Sequence, residues 1–358
     1  KNNIQKQINL FFKKQYMKKK SLSAKNKNHN TVTNFLKDKF INSIYKQFEK
    51  NLVPENGYIV AVSGGPDSLA LAYFAKCFSQ FKKVNFYYYL VDHRLRKESS
   101  KEAKKTLDLL KKINVKCKVL IWKGKKPKSN IQSIARFNRY SLLIKECKKK
   151  NLNNILLGHQ NDDLNENFLI RMMRGSGLKG LVSMDEISEN NNIKFLRPLL
   201  SIEKNKLKMV SLKVFKSFIE DPSNINENFK RIRVRNLIKN LEKEGFDNKK
   251  FNLTINNLKS ANKALEFYAK RNVLENSFFN SEKHSIILSK DFFAQPNEII
   301  LRSFIKVIQT ISRNYYPPRG KSIKNLIIEI KSKKTKQKFT LGGCIFEKIN
   351  ETVIISKE

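Results

Sequence analysis

Tyr58-Ile59-Val60-Ala61-Val62-Ser63-Gly64-Gly65-Pro66-Asp67-Ser68 is the stretch on which the fold turns. Five apolar residues run into a glycine pair, which reads as a buried strand entering a tight turn. Asp67 to Gln80 then carries Leu69, Leu71, Ala72, Phe74 and Ala75, an apolar helix. Gly64 and Gly65 let the backbone approach a ligand without a side chain in the way. The free N–H groups and positive dipole end of the helix point at the turn. Ser63 and Ser68 add hydroxyl donors. The segment is thus a nest for an anion, suited to pyrophosphate. No Lys precedes Ser68, so this is not the G-x-x-x-x-G-K-S/T loop, and simple γ-phosphate transfer is not indicated. Asp67 is out of place in a purely anion-binding loop unless it helps hold Mg²⁺ or orients an attacking group.

Outward from the loop, strands and helices alternate. Val84–Val91 reads as a second strand, ending at Asp92-His93, and Val119–Trp122 and Ile155–Leu157 as a third and fourth. Glu98–Lys112, Asn130–Lys150 and Asp162–Arg174 read as the intervening helices. Such alternation implies right-handed β-α-β units and a Rossmann-like parallel sheet, whose ligands bind beyond the carboxyl ends of the strands. After about Asp247 the pattern changes. Phe251–Glu275, Asn297–Arg313 and Ser322–Lys331 read as helices, and Phe339–Ser356 as a hairpin turning near Ile349-Asn350-Glu351. The expected organisation is a basic extension over 1–50, an α/β domain over 51–246, and a smaller, mainly helical α+β domain over 247–358. Within the extension, Lys13–Asn30 reads as disordered, and Phe40, Ile44, Phe48 and Leu52 mark a helix. Two readings stay open for its start: translation from Met17, or a basic targeting arm.

Composition narrows the class. There are 73 Lys+Arg against 31 Asp+Glu, a formal net charge of +42. A surface of this kind attracts polyanions, although a Lys- and Asn-rich bias at neutral positions produces the same balance. Arg231, Arg233 and Arg235 form a sharper local cluster. The four cysteines contain no C-x-x-C pair, and the histidines no H-E-x-x-H, so neither a zinc site nor a disulfide framework is suggested. No window has the length of a membrane span. After the fourth strand comes Gly158-His159-Gln160-Asn161-Asp162-Asp163-Leu164-Asn165-Glu166. Asp163 and Glu166 lie three apart on one helix face and Asp162 and Glu166 four apart. Paired carboxylates there can hold Mg²⁺, fix an ammonium group or accept a proton, or simply complement the helix dipole. Arg174 with Gly175-Ser176-Gly177 reads equally as a phosphate contact or a helix cap.

The S-G-G-x-D-S loop resembles that of the PP-loop ATP pyrophosphatases, which cleave ATP between the α and β phosphates. The resemblance becomes closer with Val91 to Ser99, Asn130-Ile131-Gln132, Ala135-Arg136, Arg139-Tyr140, His159, Asp163, Glu166, Arg174 to Gly177, Arg197-Pro198-Leu199-Leu200, and Glu220-Asp221-Pro222-Ser223-Asn224. Over about Tyr58 to Leu241 the chain resembles the tRNA(Ile)-lysidine synthetase family. The tail Leu341-Gly342-Gly343-Cys344 is similar to that of some members. The resemblance implies that ATP adenylates the C2 oxygen of the first anticodon cytidine of tRNA(Ile) with a CAU anticodon. The ε-amine of free L-lysine then displaces AMP, and reading changes from AUG to AUA. It further implies Ser63–Ser68 and Arg136 at ATP, Asp67, Asp163 and Glu166 as catalytic residues, and Asp67 with Asp163 at Mg²⁺. Arg174, Arg231, Arg233 and Arg235 would meet the tRNA. A cytoplasmic location is expected, with an organellar matrix or stroma as alternative. The sequence does not fix the oligomeric state; a homodimer is the commonest homo-oligomer. Three positions depart from the family pattern: His159-Gln160, Asn167, and Arg94 where Gly is usual. The rivals are a tRNA thiolase, an amide-forming synthetase sharing the loop, and a non-catalytic RNA-binding protein. The first is disfavoured by the lack of paired cysteines, the second by the lack of an N-terminal nucleophilic cysteine domain, and the third by the intact loop.

Overall fold

The computed structural model describes residues 32–95, 98–124, 131–190, 192–220, 230–314, 317–332 and 337–358. The expectations attached to Lys13–Asn30, Arg96-Lys97, Asn130 and Asp221-Pro222-Ser223-Asn224 lie outside these residues. The chain divides into two compact units, Lys1–Asp247 and Asn248–Glu358.

In the first unit, helices α1 (Lys39–Lys50), α2 (Pro66–Lys82), α3 (Ser99–Lys111), α4 (Ile131–Lys149), α5 (Asn161–Met172), the single turn α6 (Leu178–Leu181), α7 (Lys204–Phe215) and α8 (Lys230–Lys243) surround one sheet. Its strands are β1 (Tyr58–Val62), β2 (Phe86–Asp92), β3 (Cys117–Ile121), β4 (Asn154–Leu156), β5 (Ile187–Asn190) and β6 (Ile193–Leu196), in the order β3-β2-β1-β4-β6-β5. All neighbours are parallel except β5 and β6. β1 is buried on both faces. Tyr58, Val60 and Val62 enter one core, while Ile59 enters the other with Tyr89, Leu143, Ile155 and Phe195. α2 is apolar nearly all round because it is enclosed, with Leu69 through Ala75 buried among α1, α3 and α7. β5 and β6 were not read from the sequence. Each has only four residues, too few for a period-two signal, and their register is set by pairing Ile187 with Leu196 and Phe195 with Ile155.

The segment read as a basic extension over 1–50 contains α1. Ile41, Ile44, Tyr45 and Phe48 of α1 recur at helical spacing and are buried in the first unit's core. Asp38 caps this helix, accepting from the Phe40 and Ile41 amides at 2.8 and 3.3 Å.

The second unit contains α9 (Asn248–Asn276), α10 (Asn297–Ser312) and α11 (Gly320–Lys331). They accompany an antiparallel sheet of β7 (Ser277–Asn280), β8 (Ser285–Leu288), β9 (Gln337–Thr340), β10 (Cys344–Ile349) and β11 (Thr352–Lys357), in the order β7-β8-β11-β10-β9. The hairpin read near Ile349-Asn350-Glu351 is β10–β11, with Ile349 opposite Thr352 and Asn350 at a φ of 53°. It is the centre of a five-stranded sheet, so the unit is richer in strand than its sequence indicated. Phe304 of α10 stacks on Phe346 of β10, centroids 5.3 Å apart, at the middle of its core.

Candidate active site

β1 pairs with β2 on one side and β4 on the other, so the loops leaving β1 and β4 lie together at the carboxyl edge of the sheet. This is where strand order reverses, the place at which open parallel sheets take ligands. A Cβ added to Gly158, after β4, would lie 3.2 Å from the Ser68 backbone, so the two loops touch.

Gly65 is the extended cap of α2 and Pro66 its first residue, an arrangement that needs no N–H at that position. Gly64 has a φ of +84°, and a Cβ there would come within 2.3 Å of Thr106 Oγ1 and 3.0 Å of Ile219 Cγ1. The Ile219 amide donates to the Gly64 carbonyl at 2.9 Å. The turn is thus held by Thr106 of α3 and by Ile219 in the segment after α7. Gly64→Ala is expected to cost about 1–3 kcal/mol of stability and to weaken nucleotide binding at least tenfold. A thermal melt and an ATP titration would measure the two effects. Unchanged ATP affinity would remove the turn from the binding site.

Ser63 is exposed at the loop's mouth. Ser68 is buried, and its hydroxyl is committed within the loop. It donates to the Gly65 carbonyl at 3.0 Å and accepts from Ser63 N and Ser63 Oγ, both at 3.1 Å. Ser68, read from the sequence as an anion donor, has its hydroxyl engaged within the loop in this structure. The Ser211 hydroxyl donates to the Pro66 carbonyl at 2.6 Å, tying α7 to the start of α2.

Asp67 lies in the first turn of α2, and its Oδ1 is shielded without a hydrogen-bond partner. Its carboxyl is pushed up to about 7, first by burial and then by Asp163, with Lys204 acting the other way and Asp162 adding to the rise. The acids of α5 therefore face Asp67 across the switch point. Gln160 caps α5 reciprocally with Asp163. Gln160 Oε1 accepts from the Asp162 amide at 2.6 Å, and Asp163 Oδ2 accepts from the Gln160 amide at 3.2 Å. One oxygen of Asp163 thus has a structural use.

Glu166 is 1% exposed and is gripped by Arg235. Arg235 Nε donates to Oε1 at 2.5 Å and Nη2 to Oε2 at 3.4 Å. Burial works against the Arg235 charge, but Glu166 outweighs it and raises the guanidinium above its usual value. Of the three arginines expected to meet the tRNA, Arg235 is thus the one paired with a buried acid in this structure. On α8 positions 231 and 235 share a face and 233 points elsewhere. Arg233 is exposed, while Arg235 is turned onto α5. Arg174 is exposed just beyond α5, and Gly175, at a φ of +67°, closes the helix end with the Ser176 amide on the Arg171 carbonyl at 3.1 Å. Arg136 lies over the Tyr140 ring, 5.0 Å from its centroid.

Four residues were not assigned roles from the sequence. Asp92, buried at the end of β2, accepts from the Arg94 amide at 2.9 Å and the Ser100 hydroxyl at 3.0 Å. Arg94 adopts a φ of 50°, the left-handed position that glycine fills more cheaply. Neither His93 ring nitrogen has a partner, and burial, with Arg139 nearby, pushes the imidazole down to about 4. Arg197, one residue past β6, is buried and donates through Nη1 to the Asp185 carbonyl at 2.8 Å and to Ser188 Oγ at 3.0 Å. The Arg-Pro-Leu-Leu string marked it, but only the pairing of β6 with β4 shows that it stands beside His159.

Among the described residues no three His, Cys, Asp or Glu side chains form a metal-binding group. The unpartnered Oδ1 of Asp67, beside Asp163, suits a Mg²⁺ ion that takes its remaining ligands from phosphates and water. No helix among the described residues is long and apolar enough to cross a membrane.

Residues 36–242 match the PP-loop domain family. The chain is 34% identical over 310 residues to the tRNA(Ile)-lysidine synthase of Wolbachia sp. subsp. Brugia malayi, covering 86% of this chain and 72% of that protein. The Orientia tsutsugamushi tRNA(Ile)-lysidine synthase is 31% identical over 313 residues, covering 84% and 69% respectively. Among solved structures, the U34-tRNA thiolase NcsA of Methanococcus maripaludis superposes with a TM-score of 0.53 at 18% identity, over 64% of this chain and 81% of that one, a likeness of fold. With a PP-loop domain over more than half its length and relatives of this identity along most of it, the chain belongs to the tRNA(Ile)-lysidine synthase family.

Proposed function

We propose that this protein ligates free L-lysine to C2 of the first anticodon cytidine of tRNA(Ile) with a CAU anticodon, using ATP. The observation that carries the reading is the meeting of the anion-binding turn after β1 with the acidic start of α5 at the switch point, in a chain of this family. In the first half-reaction the cytidine C2 oxygen attacks the α-phosphate and pyrophosphate leaves. In the second the lysine ε-amine attacks C2, the C2–O bond breaks, AMP departs and the amine loses its proton. Cytosine C2 is a poor electrophile, which is why the adenylate leaving group is needed.

Ser63, Gly64, Gly65, Pro66 and the α2 amides would cradle the phosphates, with the Ser68 hydroxyl holding the turn in shape, and Arg136 would neutralise developing charge. Mg²⁺ bound by Asp67 and Asp163 would supply charge stabilisation at the phosphates. Asp163 would draw the lysine ammonium into the site, with Glu166, held by Arg235, adding negative charge behind it, and a carboxylate there would take the amine's proton. Arg174, Arg231 and Arg233 would meet the tRNA backbone, with the second unit, 248–358, assisting recognition. Arg235 serves in this reading as the partner of Glu166. A cytoplasmic enzyme acting as a homodimer completes the proposal.

Labelled lysine offered with ATP and Mg²⁺ to CAU-anticodon tRNA(Ile), against elongator tRNA(Met), tests it. ATP-dependent labelling of tRNA(Ile) alone is expected. AMP release without labelling would indicate another adenylating enzyme, and no AMP release would indicate a non-catalytic RNA-binding protein.

A further inference from the structure

The starts of α2, α5 and α7 converge on the switch point. The amide of Asn161, first residue of α5, donates at 3.0 Å to the carbonyl of Ile202, just before α7 begins. The Ser211 hydroxyl ties α7 to the Pro66 carbonyl at the head of α2. Lys204, first residue of α7, is thereby brought to the acids that open α5 and α2. Its charge acts on both Asp162 and Asp67, and on each more strongly than any other cation does.

Asp162 and Lys204 are both half-buried. Burial raises the Asp162 carboxyl above its usual value. Lys204 opposes that rise and Asp163 adds to it, with Arg235 again opposing and Glu242 adding. Yet among the described residues neither the Asp162 carboxylate nor the Lys204 ammonium has a hydrogen bond or an ion pair. The charges around them are engaged elsewhere. Arg235 is bonded to Glu166, Asp163 accepts from the Gln160 amide, and Lys206 of α7 pairs with Glu203.

An acid and a base that feel each other without touching leave room for a group carrying both charges in the complementary order. ATP and tRNA bring anions, which Lys204 would attract but Asp162 and Asp67 would repel. A free α-amino acid brings a carboxylate and an ammonium on one carbon.

We propose that Lys204 and Asp162 hold the α-carboxylate and the α-ammonium of free lysine, while its far amine reaches Asp163. This rests on the proposed function and names how its amino-acid substrate is told from a bare amine.

The test offers the full chain three labelled amines with ATP, Mg²⁺ and CAU-anticodon tRNA(Ile). They are L-lysine, cadaverine, which lacks the carboxylate, and ε-aminocaproate, which lacks the α-amine. Lys204→Met is expected to lower kcat/KM for lysine roughly 10- to 100-fold and to leave that for cadaverine unchanged. Asp162→Asn should lower it similarly for lysine and leave ε-aminocaproate unchanged. Lys204→Arg, which keeps the charge, should retain most of the preference for lysine, and Lys206→Met should match the parent. Pyrophosphate release in a single turnover without any amine should be the same in all of them. Each preference is a ratio within one preparation, so loss of folded protein cancels. A preference for lysine over cadaverine in Lys204→Met equal to the parent's would overturn the assignment. Equal losses for both amines with slower pyrophosphate release would also overturn it, and would place Lys204 on the nucleotide. Failure of the proposed function is distinguishable, since the unmodified chain would then label tRNA with none of the amines.

Discussion

Asp67→Asn is expected to abolish lysine ligation while making the protein more stable at neutral and alkaline pH. The side chain is isosteric, but it removes the charge that faces Asp163 and would hold Mg²⁺. Loss of one such preorganised group is worth about 10³-fold in rate. tRNA affinity should stay unchanged, because Asp67 lies beneath the phosphate cradle and not on the exposed arginines. The stability effect has a definite sign. The folded carboxyl titrates near 7 against an ordinary 3.8. A raised acid pKa means that folding favours the protonated form. The penalty for burying the charge is absent below pH 4, grows between 4 and 7, and is constant above. Asn carries no such penalty. Melting temperatures of the two proteins should therefore converge at pH 4 and separate, with the variant higher, at pH 8. A variant less stable than the parent at pH 8 would contradict the burial of an unpaired charge. Equal loss of tRNA binding and product would remove Asp67 from the chemistry.

Breaking the Glu166–Arg235 pair from one side is the second large effect. Glu166 has almost no exposed surface, and its two oxygens are both engaged by the one guanidinium. Arg235→Gln leaves a buried carboxylate without its hydrogen-bonded counter-charge, with only Arg231 acting from farther off, which costs about 3–5 kcal/mol. Adding Glu166→Gln should recover part of that loss, since the double variant buries two neutral amides. The same variants separate structure from recognition. Arg233→Ala should weaken tRNA binding and lower its salt slope by about one, with little change in melting temperature. Arg235→Gln should do the reverse. A tRNA salt slope that falls in Arg235→Gln while the melting temperature holds would return Arg235 to the RNA interface.

The two arginines show what the sequence could and could not convey. Their clustering was visible, and with it an electrostatic role. That one of them would leave the cluster for an acid 69 positions earlier in the chain was not, because an ion pair carries no periodic trace. His159 is similar. Its place after the fourth strand was evident, but a lone histidine has several ordinary fates. Its surroundings come from α4, α8 and β6, three elements that the local pattern around residue 159 does not mention. Ser68 was read for its hydroxyl, and the hydroxyl is used, but within the loop that presents it.

By itself the sequence determined the β1–turn–α2 unit, because an apolar run, a glycine pair and a helix start are local events. Each residue's preference there agrees with its neighbours'. It also determined the repeated strand–helix order, hence a parallel sheet with its functional edge at the strands' carboxyl ends. Tertiary structure alone decided the four-residue strands β5 to β9, which gain stability only from partners far along the chain. It alone decided that Gly64 must be bare, since Thr106 and Ile219 lie where a methyl group would go. It also decided which charges meet and which stay in water. The physical reason is common to these cases: backbone preference acts over a few residues, while packing and Coulomb energies act over a few ångströms, whatever the separation in sequence.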